Sequence, residues 1–273
     1  MRHGIIVTTG DPRTVADLAA EAEVAGWDGA FYFDAISVGD GEVYDPWVVM
    51  AAMAMRTERV ILGPVVTPPS RRRPWKLARE TMTLDRLSNG RLVLPVGLGA
   101  LDDAAFGNVG EETETRTRAD LMDESLEILE GLWSGRPYAH SGNHFQFDEM
   151  CFRPAPAQRP RIPIWVIGVW PRPRSMRRAL RWDGVLIQAQ DADGQGVETT
   201  PEHVREVAAH VRAERPGGLE GFEIVAGGMT PADEASTIVQ RFADAGATWW
   251  LEQDWQGDVT AVRRRIAAGP PRV

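Results

Sequence analysis

Hydrophobic positions along this chain follow two alternating periods. Short runs rich in β-branched and aromatic residues, at 5–8, 29–34, 60–66, 92–99, 162–168, 184–190, 222–228 and 248–254, read as strands. Between them, apolar residues recur at helical spacing over 15–26, 46–56, 74–87, 118–133, 174–182, 201–215, 234–245 and 259–268. Parallel neighbours need a crossover of a dozen or more residues, and each helix supplies one. Eight such units close most simply as an α/β fold of the (β/α)8 TIM-barrel type, predicted as one domain over 1–273. Two excursions break the rhythm: 100–117 after the fourth strand, and 134–161 before the fifth. The second carries Pro137, Pro154, Pro156 and Pro160 with Gly135 and Gly142, the chemistry of an ordered loop or small hairpin. Such loops act as lids and binding elements or are structural excursions.

Composition narrows the functional class. The length of 273 residues is close to the roughly 250 of a typical barrel. A formal charge of −9 without a basic tail argues against a nucleic-acid surface and for a small-molecule protein. The one cysteine, Cys151, has no internal disulfide partner, and no apolar signal core opens the chain. No apolar run reaches the roughly 20 residues of a membrane helix, so no membrane association and a cytoplasmic location are expected. No metal site is expected either, because metal-ligand spacing, His-Glu-x-x-His, Walker and Gly-x-Ser-x-Gly patterns are all missing from the sequence.

In a barrel the chemistry sits where strands end. Those tips are Thr8, Asp34, Thr67, Gly97, Leu98, Gly99, Gly168, Gln188, Gln190, Gly227, Gly228, Glu252 and Asp254. Gly97 and Gly99 let backbone approach a flat ring or phosphate, or else serve tight strand-to-loop packing. Trp170 follows the fifth strand and Trp250 lies in the eighth, each placed to line a hydrophobic pocket; Trp170 is taken as a cofactor-binding candidate. Adjacent strand residues face opposite ways, so only one of Trp249 and Trp250 points into the barrel. The arginines of 71–73 follow the third strand and are placed to meet an anionic tail. Pro95 lacks a ladder donor, which predicts a bulge in the fourth strand.

The stretch from Arg72 to Gly99, with Asp85-Arg-Leu-Ser-Asn-Gly-Arg at its centre, resembles the luciferase-like monooxygenase family. So do Gly26-Trp-Asp-Gly, Asp45-Pro-Trp, Arg56-Thr-Glu-Arg-Val-Ile-Leu-Gly, Leu126-Glu-Ile-Leu-Glu-Gly-Leu-Trp, Arg161-Ile-Pro-Ile-Trp-Val-Ile-Gly and Arg181-Trp-Asp-Gly, all in order. The resemblance implies a (β/α)8 barrel that uses reduced flavin, FMN, or the deazaflavin F420. It places the cofactor ring on Asp34, Val66, Thr67, Gly97, Leu98 and Gly99, and the phosphate side on Arg118, Gly168 and Ser175. From the residues alone, Arg118 is equally a partner for Glu124 and Ser175 a helix cap.

What the family implies chemically is oxygen insertion into a small organic substrate by reduced FMN and O2, with a separate flavin reductase as partner. F420-dependent hydride transfer is the alternative, and a barrel that has lost catalysis and binds a ligand or partner is the third reading. Members are frequently dimers, so a homodimer is expected. Asp34, Glu252 and Asp254 are the catalytic candidates, the last two for proton handling. Ala35 stands where members commonly carry histidine, and an alanine cannot shuttle a proton. Only if the 134–161 excursion covers the mouth do His140 or His144 reach substrate.

Overall fold

The protein is described here by a computed structural model covering residues 1–231 and 233–271. In chain order its strands are β1 (Arg2–Val7), β2 (Gly29–Tyr32), β3 (Ile61–Pro64), β4 (Leu94–Val96), β5 (Pro137–Ser141), β6 (Gln146–Cys151), β7 (Ile164–Trp170), β8 (Gly184–Gln190), β9 (Gly196–Val197), β10 (Glu223–Gly228) and β11 (Trp249–Glu252). The helices are α1 (Pro12–Ala25), α2 (Pro46–Arg56), α3 (Pro74–Leu87), α4 (Thr115–Trp133), α5 (Pro173–Ala179), α6 (Pro201–Glu214), α7 (Ala235–Ala245) and α8 (Val259–Ala267). Parallel staves run in the order β3-β2-β1-β11-β10-β8-β7-β4. Single bridges Leu62–Leu92 and Thr67–Val96 join the two ends, so the predicted barrel closes.

The seam between β3 and β4 is irregular. From the first bridge to the second the chain advances five residues after Leu62 but four after Leu92. The extra residue therefore lies beyond β3, beside the cis Val65–Val66 bond, and not at Pro95. β4 itself pairs in continuous register with β7, Pro95 opposite Trp165. The bulge predicted at Pro95 belongs to the facing segment, because Pro95 joins the seam only through its carbonyl, which accepts from Thr67 N–H at 3.0 Å, and its missing donor interrupts no bond to β7.

Two hydrophobic layers hold the barrel. Outside, each helix buries its apolar stripe against the staves. Inside, Phe31, Trp165 and Trp249 pack together with centroids 5.4–6.0 Å apart, joined by Ile6, Val93, Val225 and Leu251. Trp249 is thus the inward member of its pair, while Trp250 faces out against Phe242 at 4.7 Å. The rings fit because two staves lack side chains there: a Cβ on Gly4 or on Gly29 would stand 2.6 Å from Phe31 Cε2.

Helix starts follow capping chemistry. Asp11 and Asp45 accept from first-turn N–H groups, and Pro12 and Pro46 follow them. α4 begins at Thr115, three residues before the predicted start, because Glu114 caps a first turn whose polar residues carry no apolar signal. α5 ends at Ala179, short of the predicted 182. The 134–161 excursion is the antiparallel hairpin β5–β6, and its strap beyond Cys151 is pinned by Asp85, which accepts from Ala157 N–H, Gln158 N–H and Gln158 Nε2. Arg91 closes the same motif from within, donating to the carbonyls of Ala54, Thr57, Val60 and Ser88. The stretch at the centre of the resemblance is therefore a structural rivet.

Gly4→Ala should lower stability by about 1–3 kcal/mol, the cost of overpacking a rigid interior. Urea unfolding measures this, and an unchanged midpoint would show that the ring layer yields.

Candidate active site at the barrel mouth

A cavity of about 1070 Å³ opens where the staves finish, between the tips of β4, β7 and β8 and the first turns of α4. Its deep end is apolar: Val66, Leu98, Met122, Ile167, Val169 and Leu186. Its charged lining is mixed: Arg116, Arg172, Arg174 and Arg178 stand with Glu114 and Asp120, and Arg178 is paired with Asp123. Leu186 also packs on the interior ring layer, so the aromatic plug below is the floor of the cavity above. At about 1070 Å³ the cavity stands at the upper end of the roughly 300–1,000 Å³ common for small-molecule sites, room enough for a ligand of three fused rings.

Gly97, Leu98 and Gly99 all line this cavity. Gly97 is forced by packing, since a Cβ would lie 2.8 Å from Ile167 Cγ1 and 3.1 Å from Val66 Cγ2. Gly99 takes a φ of +80° and faces Phe106, so its backbone needs glycine on two counts. Arg118 does not pair with Glu124 and does not line the cavity. It is buried behind the loop, where Nη1 donates to the carbonyls of Leu98 at 2.9 Å and Gly99 at 3.2 Å. That burial pushes its pKa down from the ordinary arginine value, against the opposing charges of Glu112 and Glu114. Arg118 holds the tip rather than touching what sits on it.

Ser175 lines the cavity, and its hydroxyl is engaged on both sides: it accepts from Val169 N–H at 2.9 Å and donates to Ile167 O at 3.2 Å. Gly168 faces the other way, toward Val185 and Met176, and is glycine so that α5 can close on β7. Trp170 also turns from the mouth: its Nε1 donates to Glu206 at 2.7 Å and its ring lies 5.5 Å from His210. The pocket-lining role expected of Trp170, and likewise of Trp250, gives way to packing against the helices. Both side chains point along the outward register of their strands.

The acidic candidates are all committed to protein partners. Asp34, whose side chain is fully buried, accepts from Thr67 Oγ1 at 2.8 Å, from Arg71 Nη2 at 3.2 Å and from Arg72 Nη2 at 2.7 and 2.8 Å. Arg71 spans onward to Asp103 in the 100–117 excursion. Of the three arginines of 71–73 predicted to meet an anionic tail, Arg71 and Arg72 are thus consumed by Asp34 and Asp103, and the network clamps that excursion across the β2 and β3 tips. Asp103 was invisible as a partner in the sequence, because it lies 32 residues from Arg71 in a loop of no periodicity. Glu252, equally buried, accepts from Thr230 N–H and Oγ1, Trp250 Nε1 and Arg265 Nη2. Asp254 caps its own turn through the N–H groups of Gln256 and Gly257. His140 Nε2 donates to the Glu124 carboxylate and its Nδ1 is paired with Tyr138 OH on the flank of α4, and neither His140 nor His144 lines the cavity.

Residues 1–268 match the sequence model of the luciferase-like monooxygenase family. The chain belongs to this family. Over 162 residues it is 32% identical to an F420-dependent glucose-6-phosphate dehydrogenase of Nakamurella multipartita, a match covering 57% of this chain and 46% of that protein. The chain thus spans about half the length of the curated relatives it matches. Among solved structures it resembles an F420-dependent secondary alcohol dehydrogenase in complex with an F420-acetone adduct, with a TM-score of 0.79 and 18% identity over 98% of this chain and 96% of that one. It also resembles a monooxygenase from Streptomyces bottropensis, with a TM-score of 0.76 and 21% identity over 98% of each chain. At these identities the likeness is one of fold. Among the described residues no helix is long and apolar enough to cross a membrane, and no cluster of His, Cys, Asp and Glu is arranged to hold a metal.

Asp34→Asn should destabilise the protein by about 3–5 kcal/mol, since it leaves two buried guanidinium groups short of charge. Thermal or urea unfolding reads the loss. Burial alone would raise the Asp103 pKa, but Arg71 and the N–H groups of Ala105, Ile36 and Ser37 outweigh it and hold the carboxyl below its ordinary value. A lowered folded pKa contributes stability that is complete above the unfolded value near about 3.9 and is lost as pH falls through the folded one. Amide exchange in 100–111 should therefore stay slow at pH 5 and accelerate only below about pH 4. Equal acceleration in Asp103→Asn would contradict this assignment.

Proposed function

We propose that this protein is an F420-dependent oxidoreductase that transfers hydride between the deazaflavin and a small organic substrate. The observation that carries the reading is the cavity itself: about 1070 Å³ with apolar lining from Val66, Leu98, Ile167, Val169 and Leu186, and with four arginines against two carboxylates, Glu114 and Asp120, on the same wall. Arg174 has no ion-pair partner among the described residues, and Arg116 lies near Glu114, whose carboxyl is held below the ordinary value by the N–H groups of Arg116 and Thr117 and by the Arg116 charge; both arginines line the cavity. An apolar floor suits an uncharged ring face, and accessible guanidinium groups suit the phosphate and carboxylates of a long anionic tail. The F420-dependent relatives support the same choice of cofactor.

When bound, F420 supplies the hydride chemistry. The chain supplies place and dryness. Val66, Leu98 and Ile167 hold the ring by contact, while Gly97 and Gly99 keep the β4 tip thin enough for close approach. Arg118, Ser175 and the Asp34–Thr67 bond position those tips from behind. Arg116 and Arg174 hold the tail. With Asp34 and Glu252 fully hydrogen-bonded, neither is free to move a proton at the reacting carbon.

Oxygen insertion by reduced FMN is the second reading, favoured by the family to which the chain belongs and by the fold it shares with monooxygenases. FMN carries a single phosphate and would engage fewer of these arginines. The two readings separate on titration of the protein with F420 and with FMN, followed by fluorescence. F420 should bind at least tenfold more tightly. Arg174→Ala and Arg116→Ala should each weaken F420 about three- to tenfold, the worth of one exposed charge-assisted contact, with FMN affected less. Tighter binding of FMN, with oxygen uptake once a flavin reductase is supplied, would overturn the proposal; binding of neither would favour a ligand-binding barrel without catalysis.

A further inference from the structure

The floor of the cavity is laid out by strand register. Ile167 on β7 stands opposite Leu186 on β8, and both line the cavity. On the other side of β7, β4 contributes Gly97, where no side chain projects, because a Cβ would meet Ile167 and Val66. A flat ring can therefore lie across three consecutive staves, β4, β7 and β8. From β4 to β8 is two stave spacings, about 10 Å, close to the long dimension of three fused rings.

One inward step above this floor, about 7 Å along the strand, Val169 and Gln188 form the next register pair, and both line the cavity. Alternate residues of a strand share a face, so Gln188 projects on the same side as Leu186. Its carboxamide is exposed and has no hydrogen-bond partner among the described residues. Gln190, the other carboxamide on this wall, is already taken: its Oε1 accepts from Arg172 Nε at 2.9 Å. At the β3–β4 end of the floor the nearby polar groups are committed as well. Thr67 N–H donates to Pro95 O, the Thr67 hydroxyl donates to Asp34, and Gly97 N–H donates to Thr67 O. Val66 and Leu98 complete that end with hydrocarbon.

The two ends of the floor thus differ in what they offer a ring, and a deazaflavin differs along its own long axis in the matching way. One end is carbocyclic. The other is a pyrimidinedione whose edge carries C=O, N–H and C=O in one plane. A carboxamide presents a coplanar donor and acceptor and pairs bidentately with the edge of a heterocycle, as Gln does with adenine. We infer that Gln188 reads the imide edge of the cofactor ring, its Nε2 donating to a ring carbonyl and its Oε1 accepting from the ring N–H, with the carbocyclic end on Val66 and Leu98. The inference rests on the cofactor reading above, and within it only on the imide edge, which F420 and FMN share. Gln188 then sets the orientation of the ring: turned end for end, the imide would face hydrocarbon and lose both bonds.

The test titrates the protein with a tail-less ring compound, 8-hydroxy-5-deazariboflavin, and with the same compound methylated on its imide nitrogen, followed by deazaflavin fluorescence. The unaltered protein should bind the parent probe about tenfold more tightly than the methylated one, because the methyl group removes one bond and leaves the carboxamide oxygen facing carbon. Gln188→Leu should weaken the parent probe about tenfold and abolish the discrimination. Gln188→Glu, which keeps the acceptor and loses the donor, should weaken it several-fold. Both variants should keep the thermal midpoint of the unaltered protein, since the replaced side chain is exposed and holds no other group, and this separates lost recognition from lost folding. Equal binding of the two probes by the unaltered protein would overturn the inference, as would a Gln188→Leu variant that still discriminates between them. Titration with F420 and FMN is a separate readout: a protein that binds neither refutes the cofactor reading and this inference with it, whereas one that binds F420 but ignores methylation of the imide refutes the assignment of Gln188 alone.

Discussion

The packing of Phe31, Trp165 and Trp249 inside the barrel sets the level of everything above it. These rings fill the lower half of a closed cylinder, and glycines at positions 4 and 29 give Phe31 the room to lie there. A closed barrel leaves no sheet edge, so each stave spends its backbone on its neighbours and presents free chemistry only at its end. With the lower interior solid, a ligand has one place to go. Leu186 touches the ring layer from above and the cavity from below, which joins stability and binding through one side chain.

Charge at the mouth falls into two classes with different work. Asp34, Arg71, Arg72 and Asp103 form a buried alternating array in which each carboxylate faces guanidinium, and this array fixes the 100–117 excursion over the β2 and β3 tips. Removed from water and paired with one another, though with Nε of Arg71 and of Arg72 left without a partner, these groups are poorly placed for proton transfer and well placed for rigidity. Arg116, beside Glu114, and Arg174 remain solvated. They are the cations that an incoming anion can reach. The difference between the two classes is burial, not residue type.

Much of the architecture was legible from patterning. Strand-length and helix-length periods gave all eight βα units, and the strand tips at Val66 and 97–99 do line the cavity. The resemblance also led to the right motif, although Asp85 and Arg91 proved to hold the strap and the β3 entry together rather than a ligand. Legibility failed where a side chain's partner is distant in the chain. Nothing near Asp34 announces Arg71, nothing near Glu252 announces Thr230 and Arg265, and nothing near Trp170 announces Glu206.

The sequence by itself determined which face each residue presents within its own element, because periods of 2 and 3.6 are properties of the local backbone. It also determined that catalysis, if present, belongs to the strand ends. Tertiary structure alone decided which of those polar ends are spent and which are free. It closed the β3–β4 seam with an extra residue past β3, turned Trp249 inward and Trp250 outward, and neutralised the acids that looked most catalytic. Those outcomes depend on contacts across tens to hundreds of residues, and such contacts are fixed by how the staves are ordered in space.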